Sequence, residues 1–390
     1  MLEVEIHGEV APGFEKVKSV FEANWKGIEV GASYSVVHKG ETVVDLWGGY
    51  QDRDCSRLWE KDTLVNVYST TKGMGSLAVA ILAEEGKIDY DALVTDYWPE
   101  FGAEGKDKVT VAQLLSHQAG VCGVTEEITV EDLYDWDKMV RLIAAQKPHW
   151  EPGTSAGYHA VNWGYLAGEL VLRIAGRTLG TYFHEKVAEP LGADFFIGLP
   201  DSEMNRVSDM IGPNHARILP KATPSDGPPA ETPPFYALAL QNPAIRPYGD
   251  ASSYAWRKAE IAAANGQGNA RGIARVYGAC ANGGEIDGIR IISNAGIDAA
   301  IKEEVDETVV DLVVGGPMRR GRGYILNTGG SYGPSPDAFG HGGAGGSTGF
   351  ADRENNVGIG YAMNQMQPDP TAMPRSRMLV DATYSCLNLG

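Results

Sequence analysis

Ser69 and Lys72 stand three residues apart in the stretch Val67-Tyr68-Ser69-Thr70-Thr71-Lys72. A serine hydroxyl is a poor nucleophile at neutral pH and needs a neighbouring base. A lysine provides one only if burial or nearby positive charge lowers its pKa. Residues i and i+3 share a helix face, so the Lys72 amine reaches the Ser69 hydroxyl if the segment is helical. A serine in the first turn would also meet unpaired backbone N–H groups and the positive end of the helix dipole. The plain alternative is a capping serine beside a solvated lysine. SxxK recurs by chance, so its partners decide.

Two other segments carry chemistry. Tyr158 follows the Pro152-Gly153 turn and precedes an amphipathic stretch; it is either a packing residue with a hydrogen-bonded tip or, with a neutral lysine, part of a base system. In Phe339-Gly340-His341-Gly342-Gly343-Ala344-Gly345-Gly346, small residues let a ligand approach the backbone, and free N–H groups there can form an oxyanion hole. The competing reading is a glycine-rich turn in which His341 makes a local hydrogen bond. Gly345 to Gly349 also spells GxSxG around Ser347. That motif needs a strand–turn–helix setting and a later histidine. No histidine follows His341, and Ser347 is set aside as a nucleophile. His117 and His159 read as structural or pocket-lining.

These residues need elements to hold them. Met74, Leu77, Ala78, Ile81 and Leu82 recur at helical spacing and predict a helix from about Ser69 to Glu85, closed by Gly86. Helices are also expected over 11–26, from 163 to 174 with Gly176 as the stop, over 269–284, and in the tail over 371–388. Apolar runs around His38-Lys39-Gly40-Glu41 predict a β-hairpin, and strands are expected near 322–329 and over 355–366. Nine prolines between 213 and 247 predict a long, partly rigid loop. Strand material at both ends with helices between implies an α/β (α+β) fold. Residues 1–68 and 269–390 would form an α/β domain, and 69–268 a mostly helical one.

With 390 residues, two or three domains are expected. The net charge of −18 argues against nucleic acid and anionic membrane surfaces as partners. Cys55, Cys122, Cys280 and Cys386 have no metal-type spacing and read as reduced structural thiols. No signal peptide or 18-residue apolar run is visible, so a cytoplasmic location is expected. No metal or cofactor is expected, because no His/Asp/Glu cluster has ligand spacing. The oligomeric state is not legible.

Taken together, Ser69-Thr70-Thr71-Lys72, Tyr158 after Glu151-Pro152-Gly153, and His341-Gly342-Gly343 resemble the three active-site elements of serine β-lactamase-fold enzymes. They are most similar to family VIII carboxylesterases, relatives of class C β-lactamases and penicillin-binding proteins. "TVAQLLSHQAG" at 110–120, "NGGEIDGIRIIS" at 282–293 and "GYAMNQM" at 360–366 extend the resemblance over nearly the whole chain. It implies an antiparallel sheet flanked by helices, with the site in a groove against a helical domain. Ser69 would be acylated by a small-molecule ester, Lys72 and Tyr158 would be the base system, and the N–H groups of Ser69 and Ala344 the oxyanion hole. His341, Gly342, Gly343 and His159 would bind substrate.

Two departures bear on substrate. β-Lactamases of this class carry asparagine two residues after the tyrosine, where Ala160 stands, and a lysine where His341 stands. A missing amide and fixed charge favour short-chain esters over β-lactams. A protonated His341 would recover part of the carboxylate interaction below about pH 6.5. The alternatives are a β-lactamase, D-amino-acid peptidase or acyltransferase using the same serine, or a non-catalytic binding module with this fold.

Overall fold

A computed structural model defines the fold for residues 4–213, 231–367 and 375–388. Seven strands form one sheet: β1 Ile6–Val10, β2 Gly31–His38, β3 Glu41–Gly49, β4 Ile325–Leu326, β5 Phe339–Gly342, β6 Thr348–Asp352 and β7 Val357–Met363. Their spatial order is β1-β3-β2-β7-β6-β5-β4, and every neighbouring pair is antiparallel. The two ends of the chain meet where β2 lies on β7, with Tyr34 opposite Tyr361. Lys39 and Gly40 both take positive φ in the β2–β3 turn, the geometry that matches strand twist in two-residue hairpins.

The helices that frame the site are α1 Glu15–Ala23, α2 Thr71–Glu84, α3 Asn162–Ala175, α4 Ala270–Ala281 and α5 Arg375–Cys386. Strand side chains alternate between faces, and here both faces are covered. Ala32, Tyr34, Val36, Ile359, Tyr361 and Met363 point to one face, packing with Val17 and Phe21 of α1 and Leu379 of α5. Each fully buried side chain of this size contributes about 1.5–3 kcal/mol. The other face is paved with glycine under α4. A Cβ on Gly358 would stand 2.2 Å from Gly278 N, and one on Gly360 2.3 Å from Ala270 O. Backbone therefore rests on backbone there, and the V-G-I-G-Y alternation of β7 serves both faces at once.

α2 is buried from Thr71 to Leu82, so it is a central helix rather than an amphipathic surface one. It packs on α3, where Gly75 faces Trp163. Gly176 ends α3 in the left-handed conformation, as its place after the apolar stripe predicts. A small three-stranded sheet joins Val65–Asn66, Gln267–Gly268 and Phe195–Phe196, close to both chain positions where the sequence changes from strand-rich to helix-rich. Pairing this short leaves no periodicity to read in advance. Residues 302–324 cross back to the helical segment, where Leu312 N–H donates to Ala156 O over 3.0 Å.

Of the proline-rich stretch, 214–230 lie outside the described residues, as do 371–374 of the expected tail helix. Near the stretch's end, Tyr236–Leu240 is a short helix rather than loop. Cys122 and Cys280 are buried thiols, and burial pushes each up to about 12. Among the described residues no helix is long and apolar enough to cross a membrane.

Candidate active site

Ser69 does not start the α-helix. It sits in a separate 3₁₀ turn, Tyr68–Thr70, just ahead of α2. Tyr68 holds φ at 45°, a left-handed conformation that costs a non-glycine residue about 1–2 kcal/mol and persists only where the surroundings over-determine it. They do so here. Thr71 Oγ1 donates to Tyr68 O at 2.5 Å and accepts from Gly266 N–H at 2.9 Å. Val67 N–H donates to Gly266 O at 2.9 Å. Ser347 Oγ donates to Val67 O at 2.8 Å, which leaves Thr70 Oγ1 as the donor in its 3.1 Å bond to Ser347 Oγ. The GxSxG serine is thus a buried brace for the turn that presents Ser69.

Lys72 is fully buried. Its Nζ lies 3.2 Å from Ser69 Oγ, 2.7 Å from Ala160 O and 3.0 Å from Ala263 O. Among the described residues no carboxylate pairs with it. Burial without a counter-charge holds its pKa well below the ordinary lysine value. A neutral amine has two N–H donors and one lone pair. In that form the two carbonyls would take the donors and leave the lone pair to the Ser69 hydroxyl. The amine also lies 4.7 Å from the centre of the Tyr158 ring. Burial raises the Tyr158 pKa, opposed by its side-chain hydrogen bond to Ser69, so the phenol keeps its proton at neutral pH.

Gly343 lets the third segment close on this turn. A Cβ there would fall 2.2 Å from Val67 O and 2.2 Å from Ser347 Oγ. Neither the Ser69 nor the Ala344 backbone N–H has a hydrogen-bond partner among the described residues, so both are free to serve an oxyanion. Ser69, Tyr158, His341, Gly342, Gly343 and Ala344 line one cavity of about 1040 Å³. Its walls are largely apolar, with Leu240, Ile245, Val314, Pro317 and Met318 among them.

The two histidines expected to bind substrate sit differently. His159 is fully buried and is not part of the cavity wall. Its Nδ1 donates to Gly157 O at 2.6 Å, and its Nε2 accepts from Val121 N–H at 3.2 Å; burial pushes its pKa down to about 3. His341 does line the cavity, but not as a cation. Its Nδ1 donates to Gly342 O at 2.7 Å. Burial pushes its pKa well down from the ordinary imidazole value. Burial therefore works against the protonated His341 expected below pH 6.5.

Sequence reasoning missed one buried pair, Asp311 and Arg320. Arg320 Nη2 donates to Asp311 Oδ2, and Asp311 Oδ1 accepts the Tyr158 N–H at 3.3 Å. The signal was present only as one acidic and one basic residue flanking the apolar Leu312-Val313-Val314 stretch.

Residues 17–382 match the Beta-lactamase family. The chain is 34% identical over 366 residues to the esterase/beta-lactamase LipL of Mycobacterium tuberculosis, covering 93% of this chain and 83% of that protein. The crystal structure of a family VIII carboxylesterase superimposes with a TM-score of 0.89 at 51% identity, over 98% of this chain and 100% of that one. A penicillin-binding protein homolog from Caulobacter crescentus gives 0.88 at 42% identity, with the same coverage.

Proposed function

Because the chain belongs to the Beta-lactamase family and is a serine carboxylesterase, we propose that Ser69 is its nucleophile, Lys72 the base and Tyr158 the proton donor to the leaving alcohol. The observation that carries this is the buried, uncompensated Lys72 amine 3.2 Å from Ser69 Oγ. Ser69 Oγ attacks the ester carbonyl as its proton passes to the Lys72 lone pair. The resulting ammonium finds three acceptors already in place, two of them the Ala160 and Ala263 carbonyls. The developing oxyanion is stabilised by the Ser69 and Ala344 N–H groups.

Collapse breaks the C–O bond to the alcohol. The departing alkoxide takes the Tyr158 proton, and Lys72 returns one to the phenolate, leaving both groups as they began. A water then repeats the sequence on the acyl-enzyme. Substrates are small esters, including acetyl and butyryl ones, held by an apolar cavity with no cation at His341. This division of labour makes Tyr158 a donor rather than a tyrosinate base, since burial disfavours the anion.

Intact-mass measurement during p-nitrophenyl butyrate turnover tests the reading. A butyryl adduct on Ser69, absent in Ser69→Ala, is expected. With ethyl butyrate, whose leaving group needs a proton, Lys72→Ala and Tyr158→Phe should each cost orders of magnitude in kcat, and the double variant little more, because groups acting as a unit are non-additive. An adduct on another residue would overturn the assignment.

A further inference from the structure

We propose that Asp311, paired with Arg320, is a positioning residue that holds Tyr158 and the 313–318 wall of the cavity in one register, and so governs proton delivery to the leaving group. This rests on Tyr158 being the proton donor. Both side chains are out of solvent, Arg320 at 1% exposure and Asp311 at 0%. A buried ion pair is weak as a source of stability, since its desolvation cost offsets most of its attraction. Here the carboxylate has a second use.

Oδ2 receives the guanidinium. Oδ1 accepts three backbone N–H groups: Val313 and Val314 at 2.7 Å each, and Tyr158 at 3.3 Å. The first two lie in the loop whose Val314, Pro317 and Met318 line the cavity. The third belongs to the residue whose phenol faces Ser69. Leu312 adds a main-chain bond to Ala156, two residues before Tyr158. One oxygen therefore ties the proton donor to the surface against which substrate rests. A neutral side chain would accept these N–H groups less strongly. Arg320 supplies the counter-charge beside it.

A displaced Tyr158 would hurt only esters whose leaving group needs a proton. Ethyl butyrate expels an ethoxide that must be protonated, whereas p-nitrophenyl butyrate expels a stabilised anion that departs without help. Both give the same butyryl-enzyme, so kcat/KM isolates the acylation half. In Asp311→Asn/Arg320→Met, kcat/KM for ethyl butyrate should fall at least about 10-fold further than for p-nitrophenyl butyrate. A purely structural pair would lower both equally, and equal falls overturn the proposal. If that variant does not fold, Asp311→Glu, which keeps the charge but moves the oxygen, should show the same bias at about 3-fold; equal falls again overturn it. Tyr158→Phe is measured alongside. Should it lower both esters equally, the donor role of Tyr158 fails and this proposal fails with it. Bias in Tyr158→Phe without bias at Asp311 defeats this proposal alone.

Discussion

Gly343→Ala places a methyl group in the narrowest gap of the site. The added Cβ would lie 2.2 Å from Val67 O, 2.2 Å from Ser347 Oγ and 3.0 Å from Thr70 Oγ1. Val67 O is backbone, fixed in the turn that presents Ser69, and Ser347 cannot rotate away without losing its bond to that same oxygen. The 342–346 loop must move instead. Relieving the contact even to 3.0 Å needs about 0.8 Å, the difference between 2.2 and 3.0 Å. Ala344 comes next in the chain, so its N–H retreats too. Oxyanion donors act at about 2.7–3.1 Å, and a shift of this size carries one beyond useful range. Losing one donor costs about 10²–10³ in kcat, roughly 2.7–4 kcal/mol. KM should change little, because the bond strengthens only as the oxyanion forms. The assay is kcat and KM for p-nitrophenyl butyrate, with Tm to confirm folding. A folded Gly343→Ala enzyme keeping kcat within about 5-fold of wild type would refute the oxyanion role of Ala344.

Ser347→Ala should remain acylable at Ser69 by intact mass, yet lose about 1–3 kcal/mol of stability in denaturant titration, because Val67 O and Thr70 Oγ1 each lose a buried partner. Lys72→Met should be inactive, and its stability relative to wild type should depend on pH. The folded Lys72 pKa is lowered, so the unfolded chain binds more protons from that lowered value up to the ordinary 10.5. Wild type should therefore gain on the methionine variant as pH rises through that window, and a flat difference would contradict a neutral Lys72. Burial lowers the His341 pKa and so disfavours its cation. Nitrocefin kcat/KM should accordingly not rise between about pH 7 and pH 5, and should stay below the p-nitrophenyl butyrate value throughout.

The parts legible in the sequence were those whose neighbours in space are also neighbours in the chain. Ser69 and Lys72 lie one helical turn apart, and Met74 to Leu82 announce that turn. The β2–β3 hairpin and β7 carry their own alternation. Asp311 and Arg320 meet Tyr158 only through a crossover of more than a hundred residues, which no local period marks. His159, read as structural or pocket-lining and by resemblance as a substrate contact, lies buried away from the cavity wall, a choice that no local pattern decides. Ser347 was set aside as a nucleophile for want of a later histidine, and its use as a brace was hidden because it depends on Val67, far away in the chain.

The glycine pavement beneath α4 has a consequence for anyone building variant libraries of this enzyme. Where main chain lies on main chain at Gly358 and Gly360, no long side chain stands between to flex and absorb an error, so the mechanical tolerance there is small. A single methyl at Gly358 or Gly360 acts as a wedge under the whole helix. The segment leading into α4 carries Ala263, whose carbonyl holds the Lys72 amine at 3.0 Å. Lifting the helix would therefore slacken one of the two fixtures that aim the lysine lone pair. Positions that look inert, small and remote from the cavity are the ones where a library would lose catalysis first.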